Sequence, residues 1–205
     1  HADDGTIENW NLSKVTSLKH AFDGSKIIAM KQFNADISKW DVSSVRSFEN
    51  TFYQAEFFAG DLSKWNVSSA TNMKQMFSNT LQYNGDLSKW KVSSVIDMFG
   101  MFENSHFRND CLSEWDVSSV IDMQSMFQSP KYITTFSIDL SKWNMSSVKI
   151  MTNMFAFQIS IQIDLSKWVT SQVISMEGMF EGGSQHTRNQ FTSDLSKWDV
   201  SSVIT

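Results

Sequence analysis

Seventeen residues recur along the chain in nearly the same lettering: DLSKWNVSSATNMKQMF from Asp61, DLSKWKVSSVIDMFGMF from Asp86, CLSEWDVSSVIDMQSMF from Cys111, DLSKWNMSSVKIMTNMF from Asp139 and DLSKWVTSQVISMEGMF from Asp164. All eight tryptophans belong to this phrase, at positions 10, 40, 65, 90, 115, 143, 168 and 198, so the spacings are 30, 25, 25, 25, 28, 25 and 30. A unit this short cannot bury a core of its own, so neighbouring units must bury each other. The expected organisation is one array over residues 1–205, with about seven repeats, an atypical first repeat and a truncated last one.

Within a repeat, FFAGDLSKWNV places Phe57, Gly60, Leu62, Trp65 and Val67 at the spacing of the leucine-rich-repeat pattern. The alternation in DLS turns Leu62 inward and Asp61 and Ser63 outward on a short strand. Downstream, Val95, Met98, Met101 and Phe102 fall at i, i+3, i+6 and i+7, the stripe of a short helix that Ser93 or Ser94 would cap. The fold class expected is therefore a leucine-rich-repeat-like solenoid, with one short parallel strand and one short helix per coil of about 25 residues. An indole stands where such repeats use asparagine, which predicts a stack of tryptophans along the array. The methionine stripe reads as packing, because the slots of Met98 and Met101 hold Leu18 and Ala21 in one repeat and Phe48 and Thr51 in another. Soft metal ligands would not be exchanged so freely.

Charge and motifs narrow the function. Seventeen basic and 22 acidic residues leave a net charge of −5, with the lysines spread one per repeat, so no nucleic acid partner is expected. Cys111 is the only cysteine and forms no internal disulfide. No apolar run is long enough to span a membrane. The start at His1 and the end at Thr205, inside a repeat, read as a processed or incomplete chain. His1, His20, His106 and His186 lack the spacing of a zinc helix, and no G-x-S-x-G, phosphate loop or Cys-x-x-Cys is present. No enzyme, catalytic residue, metal or cofactor is expected.

The phrase at 86–102, 111–127 and 139–155 resembles the repeat of BspA-like surface proteins, also described as a domain of unknown function in mycoplasma lipoproteins. The resemblance implies a solenoid displayed outside a cell, often adhesive, with no shared reaction. The function expected is protein binding, either as an external adhesin or as a structural subunit of a large multi-subunit assembly, which would bury the open strand edges and the aromatic connections against neighbours. The expected location is extracellular, the cell surface or an organellar lumen.

Two sets of residues are candidates for contact. Asp36, Asp61, Asp86, Asp139, Asp164 and Asp194 form a ladder beside serines two residues on and a lysine ladder at 39, 64, 89, 142, 167 and 197. It closes turns by accepting backbone N–H groups, or else offers a calcium-, ligand- or ice-binding face. Cys111 and Glu114 interrupt both ladders in one coil. The second set lies in the connections of variable length, where Phe58, Tyr132, Ile133, Phe136 and Ile159 are expected at a partner surface, beside Pro130 in the longer spacing from Trp115 to Trp143. Asn11, Asn66 and Asn144 lie in N-x-S sequons, in a slot that other repeats fill with Asp41, Asp116 or Asp199.

Overall fold

A computed structural model describes residues 6–129, 135–158, 160–182, 190–191 and 193–204. Successive repeats stack in register, and the expected strand-plus-helix coil is not what they form. Among the described residues the regular elements are three 3-10 segments, Ile7–Asn9, Ile28–Gln32 and Asp110–Leu112, and three two-residue strands. The strands, β1 (Thr135–Phe136), β2 (Ser160–Ile161) and β3 (Gln190–Phe191), pair in parallel and in order. The leucine-rich-repeat-like solenoid is thereby corrected: DLS is followed by a turn, closed by Trp65 N–H to Leu62 O at 3.0 Å, and the methionine segment is a run of turns.

Backbone hydrogen bonding explains why no helix forms on a helical stripe. In one repeat the N–H groups of Met98, Gly100, Phe102 and Asn104 donate to the carbonyls of Asp122, Gln124, Met126 and Gln128 in the next. The intervening N–H groups of Met101, Glu103 and Ser105 close turns on Met98, Gly100 and Phe102. A helix would need every carbonyl for its own i+4 donor. Here half the donors go to the neighbouring repeat, and the backbone is satisfied across layers as in a sheet. The arrangement needs left-handed residues at fixed places. Gly100 has φ 56°, and Asn50, Gln75, Ser125, Asn153 and Gly178 occupy the same slot with φ between 50° and 59°. Glycine and asparagine adopt this conformation readily. One isolated parallel bridge per junction, from Ser17↔Ser47 through Ile150↔Ser175, continues the register.

The inward stripe is the core. Val95, Met98, Met101 and Phe102 are all buried, as are Leu87 and Trp90. Phe22, Phe52, Phe77, Phe102, Phe127, Phe155 and Phe180 form an unbroken column with centroid separations of 5.5–6.1 Å. Tryptophans stack at the junctions 10–40, 40–65, 90–115 and 168–198, at 6.1–6.4 Å and within 10° of parallel. Each indole also ties two repeats together, because from Trp40 to Trp198 every Nε1–H donates to a carbonyl of the preceding repeat. Trp90 reaches Leu62 O at 3.0 Å and Trp115 reaches Leu87 O at 3.1 Å.

Two of the five partner-surface candidates belong to the core. Phe58 is fully buried, 4.1 Å from Phe52 and stacked with Phe33 and Tyr83. Phe136 is fully buried between Phe127 and Phe155. The apolar connections thus supply a further aromatic column, Phe33, Phe58, Tyr83 and Phe107. Tyr132, Ile133 and Ile159 lie outside the described residues, as does Pro130.

Candidate functional site

Each ladder aspartate is bound into its own corner. Asp36, Asp61, Asp86, Asp139, Asp164 and Asp194 accept the backbone N–H of the serine two residues on, at 2.9–3.0 Å. Hydrogen bonds from that serine's hydroxyl and N–H hold the six carboxyls below the ordinary carboxylate range. A lowered folded-state pKa gives stability that is present above the unfolded value and lost as pH falls through the folded one. These groups are turn closures in ionised form. The lysine ladder compensates them from a distance, since the Lys–Glu pairs among the described residues are Lys19–Glu49, Lys31–Glu56 and Lys142–Glu114, and Asp23 is hydrogen-bonded to His20 Nδ1. Among the described residues no group of three or more metal-ligating side chains converges. Because a ligand stabilises only what it binds, calcium or a chelator should leave the melting temperature unchanged; a rise of several degrees on adding calcium would make the ladder a metal site.

The neighbouring slot repeats the same device. Asn11, Asp41, Asn66, Asp116, Asn144 and Asp199 each accept the N–H of the serine two on, at 3.0–3.2 Å, and all are exposed. The sequon asparagines are therefore corner closures as well.

A second carboxylate pair lies in the bridge column, where Asp97 and Asp122 face each other across a parallel junction. Burial, and then Asp97, push the Asp122 carboxyl up from its ordinary value, while a backbone bond from Gln124 and the charge of Lys74 oppose this. With the folded pKa raised, the ionised form is destabilising, so the cost appears as pH rises through that value. Asn72 fills the same slot and makes the same bond, to Lys74 N–H at 2.9 Å, as Asp122 makes to Gln124. Asp122→Asn should stabilise by about 0.5 kcal/mol at neutral pH, the range for like charges placed opposite. The gain should vanish below about pH 4, where the carboxyl is protonated in both states. Denaturant midpoints at the two pH values measure it.

Shallow grooves recur where the corner S-K-W-x-V-S, or S-K-W-V-T-S at Trp168, of one repeat meets the next. They are lined around Trp65, Trp90 and Trp168, with the adjoining lysines and serines on their walls. The sequence reading found the ladder on the corner but not the grooves, which form only between repeats. Cys111 is half-buried, its thiol pushed up by burial and accepting Leu87 N–H at 3.2 Å. Among the described residues no helix is long and apolar enough to cross a membrane.

No curated protein and no solved structure matches the chain. One family profile matches twice, over residues 1–112 and 103–205, so that the two matches together cover the whole sequence. The two overlapping matches follow from the internal repetition, and the chain belongs to the family described as Mycoplasma protein of unknown function, DUF285.

Proposed function

We propose that the chain is a non-catalytic binding or scaffold module, displayed outside the cell as an adhesive surface of the BspA-like kind or built into a larger assembly as a subunit. The observation that carries this reading is the commitment of the repeated polar residues. The corner carboxylates are ionised and each closes a turn, so the chemistry-bearing residue types act as parts of a scaffold, and the scaffold offers the same corner again at six layers. An array of equivalent corners suits a partner that is itself extended or many-sited, because weak contacts then sum. The test is crosslinking in the native cells followed by purification through a tag on the chain. A defined protein recovered in fixed ratio supports the reading. A chain that elutes alone after crosslinking, or that turns over a substrate in a manner abolished by one point substitution, overturns it.

A further inference from the structure

The corner slot that holds Asn11, Asp41, Asn66, Asp116, Asn144 and Asp199 holds Lys91 in one repeat. A lysine cannot accept the serine N–H, so this repeat, like the one that holds Val169, forgoes a bond that six others make. Packing does not account for it, since Lys91 is exposed. What the substitution does is gather charge. Lys91 joins Lys64 and Lys89 on the walls of one groove of about 480 Å³, with Ser63, Asn66 and Ser68 beside them and buried Trp65 beneath. None of the three lysines is in an ion pair among the described residues. Lys64 and Lys89 act on Asp61 and Asp86 only at longer range. This is a concentration of positive charge on a chain whose net charge is −5.

The patch is bounded. The groove one repeat on shares Lys89 and Lys91 but adds Glu114 and Asp116, and the corresponding groove around Trp168 has Lys167 and Lys197 with Val169 and Asp199. Three ammonium groups without an acidic lining occur at the first of these grooves and not at the other two. Ammonium groups on flexible stems bind oxyanions as point charges, and hydroxyl and amide neighbours add hydrogen bonds. The groove is shallow and open to solvent, so an anionic group seated between the lysines can be carried on a larger molecule.

We propose that Lys64, Lys89 and Lys91 form an oxyanion subsite for a sulfate or phosphate ester borne by a larger ligand. The proposal rests on the reading of the chain as a binding module and gives that module its ligand chemistry. The experiment titrates the purified chain with two probes, a heparin-derived sulfated hexasaccharide and a short linear polyphosphate, at low and at physiological salt. Binding of either probe is expected, weakening as salt rises, and the two arms separate a sulfated from a phosphorylated source. Lys91→Asp should reduce affinity at least tenfold. It should also fold, because Asp41 and Asp116 make the turn bond from this slot; Lys64→Ser with Lys89→Ser provides a second variant that leaves the slot alone. Lys167→Asp in the corresponding groove should change affinity less than twofold. Absence of binding to both probes at low salt overturns the proposal, as does an equal loss with Lys167→Asp, which would reduce the effect to the general surface field. Native crosslinking with Lys91→Asp separates the two ideas: a partner retained in full removes the subsite but leaves the binding module standing.

Discussion

Trp90→Ala is expected to lower the unfolding free energy by about 3–5 kcal/mol, the range for removing a large buried aromatic. The indole is buried, lies 6.4 Å from Trp115 and 6.2 Å from Phe77, and donates to Leu62 O. Truncation leaves a cavity between two layers and removes one of the two donors to the Leu62 carbonyl, which keeps the turn bond from Trp65 N–H. Trp90→Phe separates the contributions, since it keeps much of the ring volume and removes the indole N–H bond to the Leu62 carbonyl, for about 0.5–1.5 kcal/mol. Denaturant unfolding followed by far-UV circular dichroism measures both. The exposed turn closure gives the contrast, because Asp86→Ala removes a surface carboxylate from a solvent-facing corner. If Asp86→Ala proved the more damaging of the two, the layers would be held at their corners and not by the indoles.

The second large effect is expected at Phe58. Phe58→Ala should also cost about 3–5 kcal/mol, because the ring is fully buried against Phe52 and caught between Phe33 and Tyr83. Its neighbour Phe57 is 46% exposed, and Phe57→Ala should stay within about 0.5 kcal/mol of the parent. The pair is an internal control for the connection, since the two rings share one backbone segment. A near-neutral Phe58→Ala would return this residue to the partner surface where the sequence reading put it.

These residues show where sequence reading succeeds and where it stops. The inward set, Leu87, Trp90, Val95, Met98, Met101 and Phe102, was legible because burial obeys the repeat, and all six are core. The helix was not legible, although its stripe was, because periodicity reports which side chains face inward and not which carbonyl each N–H will find. The missed signal was the residue before the final Met-Phe or its equivalent. Asn50, Gly100, Asn153 and Gly178 are residues that accept a left-handed backbone, and four in one slot mark a turn inside the supposed helix. The connection aromatics were misplaced because their spacings vary, which hid that Phe58, Tyr83 and Phe107 continue one column. The ladder aspartates were read as turn closures or as a ligand face, and the hydrogen bonds to Ser38, Ser63 and their equivalents show the closures. The lysine groove depends on side chains of two layers, which a single repeat does not display.

The forward bonds between layers all run in one direction. Met73, Gln75, Phe77 and Asn79 donate to the repeat that follows, and so do Met98, Gly100, Phe102 and Asn104, while the returning backbone bonds are fewer, as from Thr71 and Ile96 to the repeat before. Peptide dipoles of about 3.5 D each, aligned head to tail, add along such a stack as they do along a helix. The stack is therefore electrically polar along its axis, with partial positive charge toward the later repeats, where forward N–H groups point, and partial negative charge toward the earlier ones. An α-helix has the opposite sense relative to its chain, so anionic groups are favoured here toward the side of higher residue numbers.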